Sequence, residues 1–173
     1  MLKSGKSTRK AIFSSRERHS SSRYNNLGYP QRCIRTSQYL YIKNYKPERW
    51  PAGDPQKFDA NGKLEPVNTA FHDIDESSDN IVIREWQNAE IAPYFHLATD
   101  KRTSEELYDI IADPGCLKNL ITNNKFSSQL SKLRSELKDY QIATKDPRET
   151  GNSDYLDSFP RLNGEIRNFP KPE

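Results

Sequence analysis

The chain has 173 residues, enough for one domain of ordinary size. Only 33% of them are hydrophobic, 29% are charged and the mean hydropathy is −0.99, so the core must be small or be completed by another surface. The net charge of +3 conceals an asymmetry: residues 1–50 carry 12 Lys or Arg against two acids, Glu17 and Glu48, and the remainder carries 15 against 22. No run approaches the ~20 apolar residues of a membrane span, so no spanning helix is expected within this sequence. The opening residues lack the apolar stretch of a signal peptide, so any export address is expected upstream of Met1. The two cysteines, Cys33 and Cys116, do not spell a disulfide framework.

In chain order, residues 1–10 are polar and basic and read as a linker. Lys10 to Ser14 is a short strand candidate, followed by a Ser- and Arg-rich loop over residues 15–30. Gln31 to Thr36 and Tyr39 to Tyr45 are β-rich runs separated by Ser37-Gln38, which predicts a hairpin without the usual Asn-Gly turn. The second arm alternates: Tyr39, Tyr41, Lys43 and Tyr45 lie on one face, and Leu40, Ile42 and Asn44 on the other. The apolar Leu40/Ile42 face is the one expected to sit on a helix. From Lys46 to Pro66 the chain is broken by prolines and glycines into a long loop, either ordered by packing or disordered. Ser77 or Ser78 can cap a short helix through Ile81 to Trp86, with Ala92-Pro93 ending that segment. Glu106 to Ile111 is a further strand candidate. Phe126, Leu130, Leu133, Leu137 and Tyr140 then recur at helical spacing, and Thr122 or Asn123 can cap the helix they predict. Residues 144–173 hold four prolines and read as a loop-dominated tail. The expected fold is α+β: a small antiparallel sheet of about four strands with an amphipathic helix packed on one face.

Few residues offer chemistry. Gly5-Lys6-Ser7 resembles the end of a phosphate loop but lacks the strand and leading glycine that such a loop requires. His19, His72 and His96 are far apart. His72-Asp73-Ile74-Asp75 could offer oxygens to a hard cation, or could be a loop that caps the following helix. Neither cysteine has the surroundings of an activated thiolate, and no Gly-x-Ser-x-Gly elbow occurs. Arg16-Glu17-Arg18-His19 is the most suggestive segment. It places two planar guanidiniums and an imidazole beside a strand end, a set suited to a tetrahedral oxyanion or a sugar hydroxyl. A salt-bridged surface loop around Glu17 is the plainer account of the same residues.

Taken in order, several segments resemble the C-terminal region of bacterial sulfatases. They are Phe13-Ser14-Ser15-Arg16-Glu17-Arg18-His19, Tyr29 to Thr36, Tyr39 to Asn44, and Tyr45-Lys46-Pro47-Glu48-Arg49-Trp50-Pro51-Ala52-Gly53-Asp54-Pro55. Ala92-Pro93-Tyr94-Phe95 and Glu105-Glu106-Leu107-Tyr108-Asp109 follow. Asp113-Pro114, Asn119-Leu120, the Phe126-to-Tyr140 helix and Thr144-Lys145-Asp146-Pro147 are similar to the end of the N-sulfoglucosamine sulfohydrolase, or heparan N-sulfatase, type. The resemblance implies a C-terminal subdomain over residues 1–150, a four-stranded antiparallel sheet on a helix, with 151–173 as a tail and the N-terminal catalytic domain absent from this sequence. It also implies an intact enzyme that hydrolyses sulfate esters or sulfamates on a sulfated saccharide, using calcium and a formylglycine made in a Cys/Ser-x-Pro-x-Arg motif. Cys33 is followed by Ile-Arg-Thr and Cys116 by Leu-Lys-Asn, so no catalytic residue, metal ligand or cofactor is assigned within this chain, which is expected to be inactive alone. The resemblance places the His19 loop at the substrate pocket, and His19, then Arg18 and Arg16, are the expected saccharide contacts. A periplasmic or secreted location is implied by the family.

The competing reading is a basic, Tyr-rich binding module for nucleic acid or a sulfated glycan, with no catalysis. It needs Tyr39, Tyr41 and Tyr45 exposed next to the basic residues as a stacking platform.

Overall fold

A computed structural model describes residues 9–75, 84–151, 153–162 and 166–172. The chain divides into two compact units, each assembled from three segments. The first comprises Met1–Ser15, Gln31–Lys43 and Glu105–Gly151; the second comprises Arg16–Pro30, Asn44–Ser104 and Asn152–Glu173. Of the tail expected over residues 151–173, Gly151 falls in the first unit and 152–173 in the second. No helix among the described residues is long and apolar enough to cross a membrane.

The first unit is built on an antiparallel sheet of four strands, β1 (Ile12–Arg16), β2 (Gln31–Arg35), β3 (Tyr39–Asn44) and β4 (Glu105–Asp109), in the order β1-β2-β3-β4. The β2–β3 hairpin forms as its sequence predicts, and Thr36 replaces the missing Asn-Gly. Its N–H donates to the Tyr39 carbonyl at 2.8 Å, and its hydroxyl oxygen accepts the Tyr39 N–H at 2.9 Å. Strand β4 pairs antiparallel with β3, Tyr39 opposite Asp109 and Lys43 opposite Glu105.

Helix α2 (Ser127–Ala143) lies on this sheet, and α1 (Ala92–Thr99) belongs to the second unit. The entry to α2 is a 3-10 turn, Asn124–Phe126, capped by the Asn123 side chain, which accepts the Lys125 N–H at 3.1 Å. Leu130, Leu133 and Leu137 come from one face of α2 and bury themselves with Ile34, Tyr41 and Leu107. Each such side chain contributes roughly 1.5–3 kcal/mol of transfer free energy. Phe13 extends the contact by stacking on Tyr140 with ring centroids 3.9 Å apart. At the far end Arg32 and Asp146 form a two-pronged pair, with Nη2 to Oδ1 at 3.0 Å, and Asp146 also caps α3 (Pro147–Thr150) through the Arg148 N–H.

The helix sits on the other face of β3 from the one expected. Tyr41 is 1% exposed inside the core and Tyr39 packs against Phe126 edge-on, while Leu40 and Ile42 are only partly buried. Tyr41 can face the core because its hydroxyl reaches the rim. There it donates to Glu105, whose carboxylate also takes the Arg134 Nε–H at 2.7 Å. Burial, then the bond to Glu105, raises the Tyr41 pKa, so the phenol stays protonated.

In the second unit, Ala52, Phe71 and Phe95 form a small aromatic core with Trp50, Ile74 and Trp86 packed around it. Pro93 does not end a segment here but opens α1, occupying one of its first two positions, where its missing N–H is not needed. The helix expected from Ser77 falls mostly on 76–83, outside the described residues; Trp86, at its end, packs on Phe95 at 5.8 Å. The proline-broken loop is ordered by packing. Asp54 N–H donates to the Ser22 carbonyl at 2.7 Å, and Glu65 N–H to that of Lys57 at 2.9 Å. Gly53 adopts φ +100°, and a Cβ there would lie 2.9 Å from that of Ser22, so glycine is required on two counts.

Candidate functional site

The Arg16–His19 loop leaves β1 and is held within the second unit by one carboxylate. Asp73 arrives from a loop more than fifty residues on, and its side chain is 1% exposed. One oxygen, Oδ2, accepts from Arg16 Nη2 at 2.6 Å and from Arg23 Nη2 at 2.7 Å. The other, Oδ1, accepts from the Ser20 backbone N–H at 3.2 Å and its hydroxyl at 2.9 Å. Burial alone would raise the Asp73 pKa, but the Arg23 guanidinium, Ser20 and Arg16 together hold it below the ordinary carboxylate range.

Arg23 is the second part of this knot. It is 2% exposed and donates from Nε to the Trp50 carbonyl at 2.7 Å and from Nη2 to that of Pro51 at 2.8 Å. Burial lowers its pKa and Asp73 opposes that shift. Behind the loop, Gly28 lies so close that a Cβ on it would meet the Glu17 carbonyl oxygen at 2.4 Å. The backbone of the Arg16–His19 loop is therefore fixed from both sides.

The three residues expected to touch substrate are placed differently from one another. Arg16 commits a nitrogen to Asp73 and is about a third exposed. Arg18 turns to the tail, donating from Nη1 to the Phe159 carbonyl at 3.0 Å. His19 is the outward member, with its side chain 57% exposed and Nδ1 3.7 Å from Asp73 Oδ1. The loop thus presents one imidazole, with a partly exposed guanidinium beside it, on a base organised by Asp73.

Asp73 and Arg23 are the residues that sequence reading did not single out for this role. His72-Asp73-Ile74-Asp75 could be read as cation ligands or as a capping loop, and Asp73 is instead the counter-ion of two arginines. Among the described residues no group of three or more His, Cys, Asp or Glu could hold a metal ion. The described residues do not fit the calcium site that the resemblance implies for an intact enzyme, and neither Cys33 nor Cys116 stands in the Cys/Ser-x-Pro-x-Arg motif of a formylglycine precursor.

The tyrosine platform needed by a nucleic-acid module is not formed on β3, since Tyr41 is in the core and Tyr39 is packed on Phe126.

No family model and no curated protein matches the chain. Among solved structures it is similar to a 2-O GAG sulfatase, at 17% identity and a TM-score of 0.45, over 88% of this chain and 21% of that one. A sulfatase structure from Bacteroides thetaiotaomicron VPI-5482 is similar to the same extent, again at 17% identity, TM-score 0.45 and 88% coverage of this chain. The chain spans about a fifth (21%) of the length of these two solved structures.

Proposed function

We propose that this chain is the C-terminal part of a sulfatase, acting on sulfate esters or sulfamates of a sulfated saccharide, and that its Arg16–His19 loop forms one lip of the substrate pocket. The observation that carries the reading is the ordered set of sulfatase-like segments, which fall on β1, β2, β3, β4 and α2 in an α+β arrangement of the kind that the resemblance implies. The loop's chemistry supports it as well. An exposed imidazole next to a guanidinium suits sulfate oxygens and sugar hydroxyls, and a preset backbone lowers the entropy lost on binding. The similarity of the last segments to the N-sulfoglucosamine type makes a sulfamate the first substrate to try. The nucleophile, calcium and the domain that holds them belong, in this proposal, to the rest of the intact enzyme.

The test begins with the reading frame upstream of Met1, where a Cys/Ser-x-Pro-x-Arg motif and an Asp-rich metal segment are expected. The full-length product should release sulfate from an N-sulfated or O-sulfated sugar. His19→Ala should then lower kcat/KM by ~1–3 kcal/mol, the worth of one hydrogen bond to the sugar, without loss of folding, because the side chain is largely in solvent. A frame without the motif sinks the sulfatase proposal, and an unchanged kcat/KM removes His19 from the pocket.

A further inference from the structure

The second unit contains a cavity of about 540 Å3 that the reading above does not use. This is the size of many small-molecule sites. Its apolar wall is formed by Tyr24, Leu27, Trp50, Pro55, Pro170 and Pro172. Three of those six residues are prolines, whose fixed φ angles hold the wall in shape without a ligand. The Pro170–Pro172 side is anchored by the three residues that precede it: Phe169 is 5% exposed, the Asn168 carbonyl accepts the Phe58 N–H at 2.8 Å, and the Arg167 N–H donates to Ser21 Oγ at 3.0 Å.

The charges around the cavity fall into two groups. Arg23 and Arg49 line it but are neutralised, by Asp73 at 2.7 Å and Asp157 at 2.8 Å. Lys101 and Lys171 also line it, and neither forms an ion pair among the described residues. The Lys101 ammonium is held over the Trp50 ring, 5.1 Å from its centroid, which fixes a cation at the edge of an aromatic wall. Asp54, 8% exposed, lines the same cavity and has Oδ2 occupied by the Tyr24 N–H at 2.9 Å. Burial pushes the Asp54 pKa up, and the Tyr24 N–H and the charges of Arg23, Lys101 and Arg49 oppose that shift. What remains is a preformed, mostly apolar cavity with two ammonium groups, the nearly buried Asp54 carboxyl and the exposed Glu48 carboxylate, which lies 3.9 Å from Arg49 Nε.

We propose that this cavity binds a small organic anion: its ring or other apolar body lies against Trp50, Tyr24 and the proline wall, its anionic group meets Lys101 and Lys171, and Asp54 takes a hydroxyl or N–H of the ligand. A bare inorganic anion would leave the wall unused, and a neutral ring would bring no anionic group to the two ammoniums. The proposal requires no catalytic group and stands independently of the sulfatase reading.

The chain carries two tryptophans, which give an internal control. Trp50 lines the cavity, whereas Trp86 packs on Phe95 and does not line it. The experiment titrates the 173-residue chain with phenyl phosphate, benzoate, benzyl alcohol and inorganic phosphate while following both indole N–H resonances. Phenyl phosphate and benzoate should shift the Trp50 signal saturably, with Kd on the order of 1 mM or tighter, and leave Trp86 nearly still. Comparison of the two separates a phosphate-like head from a carboxylate one, and binding of either supports the site. Benzyl alcohol and inorganic phosphate should each bind at least ~10-fold more weakly. Lys101→Met and Lys171→Met, both at exposed side chains, should each weaken phenyl phosphate severalfold with the spectrum otherwise preserved. The proposal is overturned by the absence of a saturable Trp50 shift, by equal binding of benzyl alcohol, or by full affinity in both lysine variants.

Discussion

Asp73 carries more of the loop's geometry than any of the residues that the loop displays. Its two oxygens collect two guanidiniums, a hydroxyl and a backbone N–H in a site from which solvent is nearly absent. Removing one member of a buried pair leaves the other charged and unpaired, which costs ~3–5 kcal/mol. Asp73→Ala should therefore destabilise the second unit by about that much, since Arg23 would stay buried without its carboxylate. The pH dependence has a definite sign. A carboxyl whose folded pKa is depressed contributes fully above its unfolded value of ~3.9 and loses that contribution as pH falls through the lower folded value. Urea midpoints measured from about pH 5 down to about pH 2 should fall steeply in the parent chain and more gently in the Asp73→Ala variant. Identical slopes in the two would show that Asp73 is not the group that titrates. Asp73 has no local signal in the sequence, because its partners Arg16 and Arg23 are 57 and 50 residues away. What was legible was the Arg16–His19 cluster itself and the suitability of its residue types for an oxyanion. Which of its members would be left facing solvent was not legible, because that depends on which of them the interior recruits.

At the scale of elements, regular spacing was informative and punctuation was not. The steps of four, three and four from Phe126 through Leu137 do form one face of α2, and Asn123 does cap its entry. The β2–β3 hairpin was legible from two β-rich runs and a short link. The choice of β3 face was misread because hydropathy ranks Leu40 and Ile42 above Tyr41. A tyrosine whose hydroxyl reaches a partner buries more area than either, and Glu105 supplies that partner. Pro93 was misread for a related reason: proline marks a helix boundary without saying on which side the helix lies. Leu133, 0% exposed at the centre of the α2–sheet contact, should be the most costly of the three helix leucines to truncate. Leu133→Ala should lower stability by ~2–5 kcal/mol, the usual range for a buried leucine with its cavity. Urea denaturation followed by the far-UV helix signal measures this directly. A loss below about 1 kcal/mol would mean that α2 is not seated on the sheet as described.

At the scale of the whole molecule, the two units share one chain that passes between them repeatedly, so neither can be obtained as a contiguous piece. The last segment shows what this implies. Residues 152–173 read as a loop-dominated tail in the sequence, yet they supply buried groups to the second unit. Phe169 is 5% exposed, Asp157 neutralises Arg49 at 2.8 Å, and the Phe159 carbonyl receives Arg18. Ending the chain at Gly151 would remove an aromatic side chain from the second unit, worth ~3–5 kcal/mol on its own. It would also leave Arg49, whose side chain is 15% exposed, without the carboxylate that balances it. The first unit loses none of its own segments in this truncation. The two consequences are separable because Trp50 and Trp86 both lie in the second unit and α2 lies in the first. Deletion of 152–173 should move tryptophan emission to the red and lower its urea midpoint, while most of the helical far-UV signal persists to a higher denaturant concentration. If fluorescence and helix signal instead collapse together at one lower midpoint, the first unit depends on the second for its stability. The sheet and α2 would then fold only as part of a single cooperative body, and the leucine contacts would not suffice to hold them.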